Sequence, residues 1–314
     1  MKYAISIPIF IFLSFFVVKF DDAFAPAYFQ KLEQTKPAVT EKTVTVVAVG
    51  DIMLGRFVEE LSLRNHNWNY PFASTSPIFS GADVVFGNFE GAVPKEHKKT
   101  PIYGYQFSVR KEAVEAAHRA GINAVTLANN HSYDFGASGY AETVSVLNRI
   151  GMATVGKNSD YVYGENGTEV RFMGWNDTFA KIFTSTFSEN VRASKKQGEF
   201  LIAAVHFGEE YATSSNARQK EAAHALIDAG ADVVIGHHPH AVQEMEMYSG
   251  KPIFYSLGNF IFDQYFSEET QKGLAIRMTI RKKDVKYELI PIDLYQSRPR
   301  VDTNVPSQSF ALPR

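Results

Sequence analysis

The feature that most constrains the fold is a series of short apolar runs, each ending directly at a polar residue. Residues 43–50 read TVTVVAVG and end at Asp51, and residues 231–235 read ADVVI and end just before a run of histidines. These runs are rich in β-branched residues and apolar at both odd and even positions, which predicts strands buried on both faces. Sheets built from such strands are covered by helices. The sequence therefore predicts an α/β fold.

Further apolar runs alternate with amphipathic segments along the chain. Strands are predicted over residues 82–87, 122–128 and 200–205, and helices over residues 110–121, 136–150 and 216–229. Four later strands are predicted over residues 244–248, 253–257, 274–281 and 285–294. Short turns at residues 249–250 and 283–284 predict that these later strands run antiparallel. One α/β domain is expected over residues 43–296, followed by an irregular tail, rich in Pro and Ser, over residues 297–314.

The amino-terminal segment predicts export rather than a part of the fold. Lys2 precedes an uncharged run of 15 residues, 4–18. As a helix this run spans about 22 Å, less than the roughly 30 Å hydrocarbon core of a bilayer. Residues 1–20 are therefore predicted to be a cleaved export signal or a retained membrane anchor, and residues 21–42 a linker. The domain is expected outside the cytoplasm, either anchored or secreted.

Composition excludes several classes of function. The chain has 32 Lys and Arg against 34 Asp and Glu, a net charge of −2, so it lacks the basic field that binds nucleic acid. It contains no cysteine, which excludes disulfides, thiolate metal sites and a cysteine nucleophile. No glycine-rich phosphate loop occurs, and no glycine elbow surrounds Ser256. Any metal must therefore bind to His, Asp, Glu or Asn.

Polar residues at the ends of the predicted strands form the candidate site. The carboxyl ends of parallel strands open at one edge of a sheet, where ligands bind. The residues at such positions are Asp51, Glu90, Asn129, His131, His206, His237, His238 and His240. One histidine after a strand is usually an ordinary loop residue, but five of them beside carboxylates predict a metal site. Mixed oxygen and imidazole ligands favour Mn, Fe or Zn over Ca or Mg.

His238 and His240 stand two residues apart around Pro239. In an extended segment, residues at i and i+2 point to the same side. This spacing predicts that both imidazoles chelate neighbouring metal ions.

Six motifs, in order, carry a resemblance to a known family. They are GDIMLG at 50–55, GNFEG at 87–91, LANNHSYDFG at 127–136, HFGEEY at 206–211, GHHPH at 236–240 and YSLGNFIFD at 255–263. Over residues 45–295 the chain resembles the CapA family of capsule and poly-γ-glutamate synthesis proteins, which is similar to the calcineurin-like metallophosphoesterases. The resemblance implies two mixed β-sheets sandwiched between helices, a four-layer αββα arrangement. It also implies one or two divalent metal ions at the strand ends.

The resemblance also implies roles for individual residues. The implied metal ligands are Asp51, Asn129, His206, His238 and His240, with Glu90 as the carboxylate that bridges two metals and Asn88 as its substitute. In a hydrolytic mechanism His131 is the catalytic histidine, Asp134 orients it, and Arg56 holds an anionic oxygen of the substrate. Arg56 has the alternative interpretation of a solvated helix arginine, and Asp134 that of an acidic residue at the amino-terminal end of a helix.

Met53 departs from the pattern of the phosphoesterases, which begin with Asp-x-His. One of the two metals is then expected to lack a ligand and to bind more weakly.

Three functions follow as expectations. The first is an envelope-facing protein that assists synthesis, export or anchoring of the anionic polymer poly-γ-glutamate and works with membrane subunits of a capsule synthase. The second is a stand-alone metal-dependent phosphoesterase or a hydrolase of peptide-type bonds. The third is a non-catalytic membrane subunit of a polymer synthase complex.

Overall fold

A computed structural model describes residues 43–156, 159–165, 167–179 and 185–314. The predicted export segment, residues 1–20, and the predicted linker, residues 21–42, lie outside these ranges. Within the described ranges, no helix has both the length and the apolar character needed to cross a bilayer.

The strands are numbered in chain order. They are β1 (Val44–Ile52), β2 (Val84–Phe89), β3 (Ala124–Thr126), β4 (Ala153–Val155), β5 (Tyr161–Glu165), β6 (Thr168–Asn176), β7 (Phe200–His206), β8 (Val233–His237), β9 (Met245–Tyr248), β10 (Lys251–Phe254), β11 (Asn259–Ile261), β12 (Lys272–Ile280), β13 (Asp284–Tyr295), β14 (Arg298–Val301) and β15 (Gln308–Pro313).

The helices are numbered in the same way. They are α1 (Arg56–Arg64), α2 (Ser76–Phe79), α3 (Lys111–Arg119), α4 (Gly136–Arg149), α5 (Ser185–Ser194) and α6 (Ala217–Asp228), with short 3-10 turns at Tyr70–Phe72 and Glu269–Gln271. Helix α6 begins with a capping box. The Asn216 side chain accepts the Gln219 N–H at 2.9 Å, and the Gln219 side chain accepts the Asn216 N–H at 3.0 Å.

The strands form two mixed sheets. The first has the order β14-β13-β12-β1-β2-β3-β4, in which β1 to β4 are parallel and β12 to β14 antiparallel. Strand β11 extends it beside the end of β1, and β15 pairs with β13. The second sheet has the order β5-β6-β7-β8-β10-β9, with antiparallel pairs at both edges and parallel pairs between them.

The two sheets and the helices that cover their outer faces form four layers. An apolar core lies between each pair of adjacent layers. In β1, Val46 and Ala48 face the second sheet, whereas Val47 and Val49 face helices α1 to α4. In β7, alternate residues pack either between the sheets or against α5 and α6. The alternation arises because successive strand side chains point to opposite faces, and both faces of these strands are buried. The predicted fold of two mixed sheets sandwiched between helices is confirmed.

The prediction of an irregular tail over residues 297–314 is wrong. This segment contains β14 and β15, and β15 pairs along half of the long strand β13. Phe310 and Leu312 alternate toward the core between the sheets, and the Phe310 ring stacks on Tyr287 with centroids 4.9 Å apart. The abundance of Pro and Ser concealed this two-residue alternation, which is typical of a half-buried edge strand.

Candidate metal site at the strand ends

Asp51 lies at the centre of the polar cluster. The register of β1 sets it opposite Asn88 of β2 and Asn259 of β11. Its buried carboxylate accepts the Asn88 Nδ2–H at 2.9 Å and lies 3.1 Å from Nδ1 of His237 and 3.2 Å from Nδ1 of His240. Burial opposes ionisation, but the hydrogen bonds and charges of the two histidines outweigh it and hold the pKa of Asp51 well below its usual value.

Glu90 and His206 complete a group that could hold a cation. One ligand atom from each of Asp51, Glu90 and His206 lies within 4.8 Å of the others. Burial and the neighbouring Asp51 carboxylate raise the pKa of Glu90 well above its usual value. The amide nitrogen of Asn88 donates to both carboxylates, at 2.9 Å to Asp51 and 3.0 Å to Glu90. The amide therefore holds the two carboxylates side by side.

His206 has its ring orientation set by Asn130. Nε2 of His206 lies 2.8 Å from Oδ1 of Asn130, which places the ring proton on Nε2. Nδ1 then faces the cluster, 3.2 Å from the Asn88 amide nitrogen and 4.0 Å from Glu90. Burial and the nearby His238 ring hold the pKa of His206 well below its usual value, so the imidazole is neutral. A neutral ring with an unprotonated Nδ1 is the form that binds a metal.

His238 and His240 reach the cluster from a bent segment, not from the extended one that was predicted. Their φ angles are +98° and +56°, and their ring centroids lie 6.2 Å apart. Burial and the charge of His240 lower the pKa of His238 to about 4. For His240, burial is outweighed by Glu90 and Asp51, which raise its pKa to about 9. The i, i+2 spacing thus brings two rings together through backbone turns at both residues.

The donor set fits a divalent cation. Among the described side chains, three buried ligand-type atoms of this cluster have no hydrogen-bond partner: Glu90 Oε2, His237 Nε2 and His238 Nδ1. Buried polar atoms are nearly always satisfied in folded proteins, so three in one cluster indicate a ligand that binds there. Carboxylate oxygens and imidazole nitrogens together suit Mn, Fe or Zn. The cluster is therefore compatible with a divalent metal site.

Asn129 lies beside the cluster and both its amide atoms contact protein groups. Its Oδ1 accepts the His131 N–H and the Ser132 hydroxyl, each at 3.0 Å, while Nδ2 donates to Asn88 Oδ1 at 2.9 Å. It thereby ties the loop after β3 to the end of β2. The role of Asn129 as a ligand, like those of the other implied ligands, stays a prediction.

His131 and Asp134 form a pair at the rim of the site. Nδ1 of His131 lies 3.0 Å from Oδ2 of Asp134, which also accepts the Phe107 N–H at 2.6 Å. The His131 ring stacks on Phe107 with centroids 3.9 Å apart. Asp134 therefore holds the proton on Nδ1 and leaves Nε2 of His131 free for proton transfer. The structure brings the predicted pair together, and its catalytic role stays a prediction.

Arg56 is buried, so the alternative of a solvated helix arginine is wrong. Its guanidinium pairs with Asp263 and lies 4.7 Å from the Phe107 ring centroid and 5.4 Å from that of Phe262. Asp263 also accepts the Phe57 N–H at 3.0 Å. The guanidinium is thus held rigidly, with one carboxylate already bound to it.

An aromatic cleft opens next to the cluster. We use this name for the cavity of about 540 Å³ whose lining includes Arg56, Tyr103, Tyr105, Tyr211, Tyr265 and Phe266. The Tyr211 ring lies 6.1 Å from the His240 ring, so the cleft adjoins the candidate ligands. Tyr103 and Tyr105 are 89% and 80% exposed. Large exposed aromatic surface beside a polar site is typical of a place where a ligand binds.

Sequence analysis interpreted Met53 as the position of a missing ligand and did not identify Asn259 as part of the site. Met53 is fully buried, and its sulfur accepts the Gly55 N–H at 3.1 Å, so it packs into the core below the site. Asn259 was not singled out, yet its Oδ1 lies 3.0 Å from Nδ1 of His240. Asn130 was also missed. Both asparagines lie inside motifs that carry the resemblance, and that position is the signal that could have identified them.

The fold and the site define an α/β protein of two sandwiched sheets with a buried carboxylate and histidine cluster at the strand ends. A family model described as "Bacterial capsule synthesis protein PGA_cap" matches residues 45–264, and the chain belongs to this family.

Named relatives agree with this family. The chain is 30% identical to the capsule biosynthesis protein CapA of Bacillus anthracis, over 89% of this chain and 75% of that protein. It is 31% identical to the PGA biosynthesis protein CapA of Bacillus subtilis (strain 168), over 80% of this chain and 72% of that protein. A solved calcineurin-like phosphoesterase from Bacillus subtilis aligns with a TM-score of 0.38 at 13% identity, over 86% of this chain and 90% of that one.

Proposed function

We propose that this protein acts outside the cytoplasm in the synthesis, export or anchoring of an anionic capsule polymer, poly-γ-glutamate. The proposal is supported by membership of the capsule synthesis family and by relatives whose names place them in capsule and PGA biosynthesis. The observation that carries the role of the site is the buried group of Asp51, Glu90 and His206. Unpartnered ligand-type atoms of Glu90, His237 and His238 lie in the same cluster. The uncharged run at residues 4–18 supports export.

In this proposal the cluster holds one or two divalent cations. Asp51, Glu90, His206, His238 and His240 are the residues that would hold them, and the bound cation would supply Lewis-acid activation of an electrophilic centre. Asn88 keeps the two carboxylates adjacent, and Asn130 keeps the proton of His206 away from the cluster.

Three features of the chain prepare the site for a substrate. Asp134 and Phe107 fix the His131 ring, so that Nε2 can accept or release a proton at the rim. The aromatic cleft shields one side of the site from water and positions a chain beside the cluster. Arg56 and Asp263 both line this cleft, and their ion pair holds the guanidinium in a fixed position at its wall.

A second candidate, metal-dependent hydrolysis of phosphoester or peptide-type bonds, is favoured by the His131–Asp134 pair. A ring nitrogen oriented by a carboxylate beside a metal cluster is the arrangement that proton transfer to a leaving group requires. This function uses the same site, and hydrolysis of a generic phosphodiester by the full chain would distinguish it.

Restoration of the capsule tests the proposal. In a polymer-producing bacterium that lacks its own gene for this family, the wild-type chain should restore surface poly-γ-glutamate. His238→Ala should restore none, because it removes a ligand, whereas His224→Ala on α6, which pairs with Glu246 at 3.0 Å, should restore it fully. Restoration of the polymer by His238→Ala to the wild-type level would refute the role of the site.

A further inference from the structure

A basic cleft lies near the amino-terminal ends of strands β7 and β8 of the second sheet, whereas the metal cluster lies at their carboxyl-terminal ends. We use this name for the cavity of about 800 Å³ whose lining includes Arg192, Lys195, Lys196, Glu199, Asp232 and Lys282. Glu199 precedes β7 and Asp232 precedes β8, whereas His206 and His237 end these two strands. A seven-residue strand spans roughly 20 Å, so the basic cleft and the cluster lie about that far apart.

The two carboxylates of the basic cleft are already paired. Glu199 accepts two hydrogen bonds from Arg171, at 2.7 Å from Nε and 2.8 Å from Nη2. Asp232 binds the ammonium groups of Lys195 and Lys251, each at 2.6 Å. Neither carboxylate is therefore available to neutralise the other cations of the lining.

Several cations of the basic cleft have no carboxylate partner. In the part of the chain that the structure describes, Arg192, Lys196 and Lys282 form no ion pair within 4.0 Å. Arg192 donates instead to the carbonyl oxygen of Asp228 at 3.2 Å, and Lys195 to that of Gly230 at 2.7 Å. Backbone carbonyls orient a cation without cancelling its charge.

The excess of positive charge is local. The named lining residues, their ion-pair partners and Asp160, which also pairs with Arg171, comprise six cationic and three anionic side chains. Their net charge is +3: Arg171, Arg192, Lys195, Lys196, Lys251 and Lys282 against Asp160, Glu199 and Asp232. The whole chain carries −2. A concave surface lined by one sign of charge concentrates ligands of the opposite sign.

We propose that the basic cleft binds a chain of repeated carboxylates, and so holds the anionic polymer at a second place, remote from the metal cluster. The identity of that polymer rests on the function proposed above. The chemistry favours a polymer over an anionic membrane, because none of the large exposed apolar side chains of the described residues lines the basic cleft. Surfaces that lie on membranes usually combine basic residues with such side chains.

Polymer binding by the full-length chain tests this proposal. Labelled poly-γ-glutamate is titrated with the protein at low and high salt, with uncharged dextran as the neutral control. Replacing Lys196→Glu and Lys282→Glu together should weaken polymer binding about tenfold, since exposed charge pairs each contribute a modest amount. The matched control is Lys111→Glu with Arg119→Glu, an equal charge change on α3, which should weaken binding by less than about twofold.

The outcomes separate the basic cleft from the metal site. Absence of polymer binding by the wild type, or equal weakening in both double variants, would overturn the proposal. Loss of binding to vesicles of anionic phospholipid, with polymer binding unchanged, would overturn it in favour of a membrane surface. Asp51→Asn should still bind the polymer, and the cleft variant should keep its metal. A loss of polymer binding that is specific to the cleft variant would therefore support the proposal even if the wild type did not restore the capsule.

Discussion

Asn130 offers a direct test of how the chain prepares His206 as a ligand. Its Oδ1 lies 2.8 Å from Nε2 of His206, on the side of the ring away from Asn88 and Glu90. A neutral imidazole carries one proton, so this contact keeps the proton on Nε2 and leaves Nδ1 to bind a cation. Asn130→Ala removes the acceptor and allows the proton to move to Nδ1.

The expected loss of metal affinity in Asn130→Ala follows from the surroundings of Asn130. Partners of metal-binding histidines typically change metal affinity about 10- to 100-fold when they are removed. Asn130 is only half-buried, so water can replace part of the lost hydrogen bond. We therefore expect about tenfold weaker binding, equivalent to about 1.4 kcal/mol. Asn130→Asp, which keeps an acceptor at the same place, should bind at least as tightly as the wild type.

The assay is competition between the full-length chain and a chelating dye for Mn²⁺ or Zn²⁺ at pH 7. Asn148→Ala on α4 is the matched control, because Asn148 is exposed and, within the described ranges, its side chain accepts just one long bond, of 3.4 Å from Thr154. An unchanged affinity in Asn130→Ala, or an equal loss in both alanine variants, would refute the assigned orientation of the His206 ring.

Three further predictions follow from other parts of the molecule. His131→Ala should keep the metal but lower any phosphodiester hydrolysis by about a hundredfold or more. A reporter that works only outside the cytoplasm, fused to the chain, should be active. Glu199→Gln should lower the free energy of unfolding by about 2 kcal/mol at pH 7, because it removes one of the two carboxylates that pair with the buried Arg171 and leaves Asp160 as the other. The pair with Arg171 lowers the pKa of Glu199 from its usual 4.5, so its stabilisation should fade in urea unfolding below about pH 4.5.

Only part of the convergence of the site could be predicted from strand direction. Asp51 ends β1 of the first sheet and His206 ends β7 of the second sheet, and both faces of these strands are apolar in the sequence. Strand direction places each residue at the carboxyl-end edge of its own sheet. The stacking of the two sheets, which only the family resemblance implied, brings these two edges together. The choice of candidate ligands needed only residue type and these positions.

The local backbone at the site could not be predicted from spacing. His238 and His240 both adopt positive φ, which non-glycine residues seldom do, and nothing in the letters HPH distinguishes this from an extended segment. Strand β11 is only three residues long, too short for a periodic pattern, although it aligns Asn259 with Asp51.

Sequence analysis also missed the edge strands β5 and β15. Strand β5 is mostly exposed and ends in Gly164 and Glu165, and β15 contains Ser309 and Pro313, so neither shows a long apolar run. Their pairing depends on the long neighbouring strands β6 and β13, which lie elsewhere in the sequence. Tertiary pairing of this kind overrides weak local preference.

The central claim is that the strand-end cluster binds a divalent metal through Asp51. Equilibrium dialysis of the full-length chain against Mn²⁺, followed by elemental analysis, tests it most directly. The account predicts at least about one ion per wild-type chain and a loss of most of it in Asp51→Asn, because a carboxylate contributes charge that an amide lacks. The control Asp284→Asn should keep the ion, because among the described residues Asp284 forms an ion pair with Arg281, at the turn before β13. Equal metal content in Asp51→Asn and the wild type would contradict the account.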